Sequence, residues 1–188
     1  MQRAKNEGYR SRSAYKLLEI DARDGLFKPG QLIVDLGAAP GGWSQVAAQK
    51  LKGTGTIIAL DILEMPPVPG VKFLQGDFLD ERTLVNLREV LRNRPVDLVI
   101  CDMAPNLSGV RLMDQARVFE LSESALEFCV THLADRGQLL LKVFQGAGFE
   151  EFVSKFRLHF QKVVIRKPRA SRDRSNECYL LGSAKKLG

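Results

Sequence analysis

Short aliphatic runs alternate along the chain with longer stretches whose apolar positions recur at helical spacing. Residues 31–36, 56–61, 71–75, 97–102 and 138–144 are brief, rich in Val, Ile and Leu, and bounded by Gly, Pro or Asp, which predicts strands. Their apolar residues run consecutively rather than alternating, so the strands are expected to be covered on both faces. Between them, 43–51, 81–92 and 115–133 have the spacing and length of helices, and the βαβα order predicts an α/β fold with a mainly parallel sheet. Two late strands, 162–166 and 177–181, are separated by a basic loop and are expected to pair antiparallel at the sheet edge. A leading helix over 11–20 is expected, with Ser11 as its cap.

The length of 188 residues fits one domain, taken here as 1–188 with 1–24 as a basic N-terminal segment and leading helix. At 45% hydrophobic and 27% charged residues, the composition is that of a globular chain rather than a disordered or fibrous one. No apolar run approaches the ~18 residues of a membrane span, and the polar, basic N-terminus lacks the apolar core of a secretory signal. A cytoplasmic, monomeric protein is the expectation. Cys101, Cys129 and Cys178 are widely spaced, and only His132 and His159 accompany them. That disfavours a zinc site and a Cys-His nucleophile, so no metal is expected.

The net charge of +6 is less informative than its distribution. Residues 1–16 carry Arg3, Lys5, Arg10, Arg12 and Lys16 against Glu7. Residues 155–174 carry Lys155, Arg157, Lys162, Arg166, Lys167, Arg169, Arg172 and Arg174 against Asp173, while the middle of the chain is acidic. Two basic ends that meet on one face would hold a polyanion, which makes RNA the expected partner through Arg10, Arg12, Arg166, Lys167, Arg169, Arg172 and Arg174. Tyr9 and Tyr15 could stack on bases.

The first strand runs into Asp35-Leu-Gly-Ala-Ala-Pro-Gly-Gly-Trp43, a glycine-rich strand-to-helix turn that lets a ligand approach the backbone and free helix N–H groups. The order Gly37, Ala39, Gly42 departs from the G-x-G-x-x-G of dinucleotide loops, and no Gly-Lys-Ser/Thr follows as in a Walker A loop. Asp61 ends the second strand, where a carboxylate accepts both hydroxyls of a ribose. Asp77 follows the third, where it can accept from an adenine amino group. With Asp35, three acids at consecutive strand ends are expected to face one crevice. No lysine or arginine lies in the loop, so the ligand described is an adenosine with a methionine-like tail and no phosphates.

Three segments, Asp35-Leu-Gly-Ala-Ala-Pro-Gly-Gly-Trp-Ser44, Asp102-Met-Ala-Pro-Asn106 and Leu141-Lys-Val-Phe-Gln-Gly146, closely resemble the FtsJ/RrmJ family of S-adenosylmethionine-dependent RNA ribose 2′-O-methyltransferases. The resemblance runs from about Gly8 to the end. It implies a Rossmann-like methyltransferase fold, a seven-stranded, mainly parallel sheet with an antiparallel last strand and helices on both faces. It implies S-adenosyl-L-methionine as cofactor, with contacts at Gly37, Gly41, Trp43, Asp61, Asp77 and Asp102. Lys16, Asp102, Lys142 and Glu177 stand at the positions of the family's Lys-Asp-Lys-Glu tetrad. Of these, Lys142 is conspicuous by itself, because it interrupts the apolar run Leu139–Phe144 and burying an unpaired ammonium costs several kcal/mol.

Removing the 2′ proton requires a neutral amine, whereas lysine is ordinarily protonated. Burial and neighbouring positive charge favour the amine, and nearby carboxylates favour the ammonium. Lys142 is assigned as base, Asp102 as its orienting partner, and Lys16 and Glu177 as residues that position the ribose. After Asp102 the chain reads Ala104-Pro105-Asn106. The Asp/Asn-Pro-Pro-aromatic signature of amino-group methyltransferases is absent there, as is the Pro-Cys of cytosine-5 enzymes. The compact chain most resembles the branch that methylates a uridine of large-subunit (23S-type) ribosomal RNA within a ribosomal particle. A transfer RNA anticodon-loop enzyme is the alternative, and a catalytically idle RNA-binding ribosome-assembly factor is the alternative of another class.

Overall fold

The computed structural model describes residues 6–104, 111–171 and 175–186, and Arg172, Arg174, Pro105 and Asn106 lie outside the described residues. Helix α1 (Ser13–Asp24) leads into strand β1 (Leu32–Leu36), helix α2 (Gly42–Leu51) and strands β2 (Thr56–Asp61) and β3 (Val71–Gln75). Helix α3 (Glu81–Leu91), strand β4 (Val96–Cys101), helix α4 (Arg111–His132) and strand β5 (Leu133–Phe144) follow. Helix α5 (Phe149–His159) and strands β6 (Phe160–Arg166) and β7 (Glu177–Lys185) complete the order.

One seven-stranded sheet results, in the order β3-β2-β1-β4-β5-β7-β6. β1 pairs in parallel with β2 and β4, β2 with β3, and β4 with β5, while β7 runs antiparallel to β5 and to β6. The late strands therefore pair antiparallel as expected, but β7 inserts between β5 and β6 and only β6 forms the edge. The chain leaves β1 in one direction and returns beside it as β4, so the strand order reverses between β1 and β4. In open α/β sheets such a switch point opens a crevice at the carboxyl ends of the strands.

Alternate strand residues supply the two cores, as the two-residue period requires. Leu32, Val34 and Leu36 of β1 join Leu87 of α3, Ala125 and Phe128 of α4, and Phe152 and Phe156 of α5 on one face. Ile33 joins Ala14, Leu17 and Ile20 of α1 and Trp43, Val46 and Ala47 of α2 on the other. Cys101, Cys129 and Cys178 are free, buried thiols.

Two expectations are corrected. Ser11 does not cap α1: Arg12 occupies the cap position, its side chain making no capping bond to the helix, and the Ser11 hydroxyl instead shares a 2.6 Å hydrogen bond with Ser13. Helix α5 falls where no element was expected. Its apolar seam, Phe149, Phe152, Val153 and Phe156, has plain helical spacing and is buried against the sheet, while Lys155 and Arg157 lie on the helix's other side. Among the described residues no helix is long and apolar enough to cross a membrane.

Candidate active site

The turn from β1 to α2 lies against the end of β2, with Gly37 and Ala38 both donating to the Leu60 carbonyl at 2.9 and 3.1 Å. Gly37 has a φ of 75°, and a Cβ there would stand 2.6 to 2.8 Å from Met103, which follows β4. Only glycine allows the ends of β1 and β4 to approach this closely. In front of the turn opens a crevice of about 450 Å³, lined by Gly37, Asp61, Asp77, Asp102 and the apolar Phe78 and Met103. Ile62, Leu63 and Leu79 also line it and are 56, 64 and 42% exposed. Large apolar side chains open to water around a crevice mark a ligand's flat apolar surface.

Asp61 accepts from Ala39 N at 2.9 Å and from Leu63 N at 2.8 Å, so its carboxylate ties the glycine turn to the rim. Asp77 accepts from Leu79 N at 2.9 Å through one oxygen. Each carboxylate retains acceptor capacity toward the crevice. Among the described residues Asp61, Asp77, Asp102 and Glu120 face it, with Arg117 as the basic residue, a balance that suits a ligand carrying donors and positive charge and opposes a polyphosphate.

The expected third acid, Asp35, is not in the crevice. It is fully buried, one oxygen accepting from the Ser44 hydroxyl at 2.6 Å and the other without a partner. Burial, reinforced by the charges of Asp102 and Asp61 and opposed by Ser44, pushes its carboxyl up to about 7. Asp102 takes the third place instead. Gly41 and Trp43 also stand away from the lining. The space a Gly41 side chain would need is filled by Arg10, Met65 and Val68. Trp43 is buried, donates its indole N–H to Ser13 O at 2.9 Å, and lies 5.7 Å from the ring of Tyr179.

Lys16, Asp102, Lys142 and Glu177 converge at the end of this crevice. The register of β5 and β7 sets Lys142 directly opposite Tyr179, and Glu177 lies two residues away on the same face of β7. Lys142 Nζ donates to the Asp102 carbonyl at 2.5 Å and stands 3.1 Å from its Oδ1. Lys16, on α1 over the same face, reaches Glu177 Oε1 at 2.6 Å. Tyr179 joins the two ion pairs, its hydroxyl 3.0 Å from Asp102 Oδ1 and 3.3 Å from Glu177 Oε1, and donates to one carboxylate at a time. Burial and these two carboxylates push the phenol far above its ordinary range, so it remains a donor. Burial works to raise the Glu177 carboxyl, but the hydrogen bond and charge of Lys16, the charge of Lys142 and the Ser171 hydroxyl outweigh it and hold it below its ordinary value.

The model of FtsJ-like methyltransferases matches residues 9–185. The chain belongs to the FtsJ-like methyltransferase family. It is 61% identical over 186 residues to the "Ribosomal RNA large subunit methyltransferase E" of Nitrosospira multiformis, covering 99% of this chain and 90% of that protein. The protein of the same name from Methylobacillus flagellatus is 61% identical over 182 residues, covering 97% and 88%. A crystal structure from Plasmodium falciparum, described as a ribosomal RNA methyltransferase, superposes with a TM-score of 0.83 at 30% identity, covering 94% of this chain and 98% of that one.

In this FtsJ-like chain the two basic segments meet, for Arg12 Nη2 donates to Ala170 O at 3.0 Å. Their charges are not equally free. Arg10 spends its guanidinium on the carbonyls of Pro40, Pro66 and Pro67. Arg166 forms a two-toothed pair with Asp24 at 2.7 Å on both arms, the geometry that makes arginine–carboxylate pairs strong. Arg12, Lys167 and Arg169 are exposed. Reading the sequence missed Tyr179, and it also missed Ser171, a buried serine whose hydroxyl donates to Glu177 Oε1 at 3.2 Å. No local signal marks either, since each owes its role to a partner brought near by folding.

Proposed function

We propose that the chain is an S-adenosylmethionine-dependent ribose 2′-O-methyltransferase acting on a uridine of large-subunit ribosomal RNA in the cytoplasm. The observation that carries this reading is the Lys142–Asp102 pair at the end of an acid-lined, apolar-rimmed crevice, with Lys16–Glu177 joined to it through Tyr179. The residues fit the cofactor. Asp61 offers acceptors for ribose hydroxyls, Asp77 for an adenine amino group, Ile62, Leu63 and Leu79 an apolar bed, and the surplus of carboxylates favours a cation. When bound, S-adenosylmethionine supplies the methyl group on a positively charged sulfonium.

Lys142 acts as the base in its neutral form: once its ammonium has given a proton to solvent, the amine, aimed by two oxygens of Asp102, takes the 2′ proton as the ribose oxygen attacks the methyl group. Lys16 and Glu177 hold the ribose, and Tyr179 keeps the two carboxylates in register. The exposed Lys167 and Arg169 contact phosphates, and Arg12, which holds the Ala170 carbonyl through one arm, offers them the rest of its guanidinium. The ribosomal substrate is supported by the names of relatives at about 60% identity over nearly the whole chain.

The test uses large ribosomal subunits from a strain lacking the gene, incubated with the protein and cofactor labelled in the methyl group. A label at a single ribose 2′-oxygen of the large-subunit RNA is expected. Label only on transfer RNA, or on a base, refutes the reading. Lys142→Ala should lower the single-turnover rate by about 10²–10⁴, and Lys142→Arg should fail equally, because a guanidinium does not accept the proton.

A further inference from the structure

We propose that Glu19 is a positioning residue for the RNA substrate, holding the Pro168–Ser171 turn that follows β6 against helix α1. The proposal rests on the RNA methyltransferase reading above. Glu19 is an exposed acid beside the basic Pro168–Ser171 turn, where attraction for RNA phosphates alone would disfavour it. Its two oxygens accept the backbone N–H groups of Arg169 at 2.9 Å and Ala170 at 3.3 Å. These are charge-assisted bonds to two consecutive amides. Arg12 takes the carbonyl of the same Ala170, so peptide groups on both sides of this residue are gripped from the leading helix.

The spacing explains how one helix does this. Arg12, Lys16 and Glu19 follow one another at four and three residues and so form a single stripe. One end of the stripe and its middle reach the Ala170 carbonyl and Glu177, and Glu19 reaches the two amides. The turn itself closes through Ser171 N to Pro168 O at 3.0 Å, and Ser171 then donates to Glu177. Lys167 and Arg169, both exposed, thus project from a turn that is tied at one end to α1 and at the other to the tetrad. A carboxylate at position 19 orders the cations that meet RNA before the RNA arrives, and so removes an ordering cost from binding.

The two readings of Glu19 predict opposite signs. As a mere negative charge on a basic face, its removal would tighten RNA binding. As an anchor, its removal weakens it. KM for ribosomal subunits from the deletion strain, kcat, and the cofactor Kd by calorimetry are measured for wild type, Glu19→Ala and Glu19→Gln. Glu19→Ala should raise KM for the subunits about tenfold. The cofactor Kd should stay within twofold and kcat fall by no more than about threefold, since Lys16 still holds Glu177. Glu19→Gln keeps one acceptor oxygen and the shape of the side chain, so it should fall between; should the alanine variant fail to fold, the glutamine variant decides. An unchanged or lower KM in the variants overturns the proposal alone. Wild-type protein that fails to label the subunits overturns the methyltransferase reading and this proposal with it.

Discussion

Asp35 should make the stability of this protein fall as the pH rises toward neutrality. Its carboxyl is fully buried at the end of β1, with one oxygen on Ser44 and the other unpaired. Burial and the charges of Asp102 and Asp61 raise it from 3.8 to about 7. Below the lower value both folded and unfolded chains carry the proton, and this group costs nothing. Between the two values the unfolded chain ionises while the folded one does not, so stability is lost at about 1.4 kcal/mol per pH unit. Above about 7 the loss is complete, some 4 kcal/mol in all, a large share of the roughly 5–15 kcal/mol that holds a domain folded. Urea unfolding of wild type and Asp35→Asn between pH 5 and 8 reads this term. The amide keeps an acceptor for Ser44 and does not titrate, and taking the difference removes other groups such as His132, whose pKa burial lowers. The advantage of the asparagine variant should grow by about 3 kcal/mol across that range. Parallel curves would refute the placement of an unpaired, protonated acid behind the crevice. Because Asp61 and Asp102 contribute to the shift, a cation bound between them draws the proton off, so S-adenosylmethionine should bind near pH 7 with proton release, measurable by calorimetry in buffers of different ionisation enthalpy.

Tyr179→Phe keeps the ring against Trp43 but removes the hydroxyl between Asp102 and Glu177. It should cost about 1.5–3 kcal/mol of stability and roughly tenfold in single-turnover rate, with cofactor affinity unchanged in titration. Lys167→Gln with Arg169→Gln should lessen the slope of log affinity against log salt by about 1–2 in RNA binding. Arg166→Gln should chiefly lower the melting temperature, because it leaves Asp24 without the partner that holds its carboxyl low.

What could be read in the chain beforehand follows from how local each signal is. A glycine turn after an apolar run, with an Asp at the end of the next strand and another just past the third, is written within a few residues of each strand end, and these features stand in the crevice as expected. Asp35 obeys the same pattern yet turns inward, because Ser44, nine residues on, offers it a hydroxyl from the first turn of α2. The tetrad could be named only through family likeness, since Lys16 and Glu177 are 161 residues apart and meet only when α1 lies across the face that β7 joins. Tyr179 was hidden for a sharper reason. In the run Glu177-Cys-Tyr-Leu-Leu181 an aromatic residue belongs to a buried strand on propensity alone, and only the insertion of β7 beside β5 sets its hydroxyl opposite Lys142. The basic residues show the same limit from the other side. Arg10, Arg12 and Arg166 carry the same charge as Arg169, and composition cannot tell which of them the fold uses in holding its own loops. Charge alone therefore does not tell which side chains are free to reach a phosphate: Asp24 neutralises Arg166, whereas Arg10 and Arg12 hold neutral carbonyls and keep their positive charge on the surface.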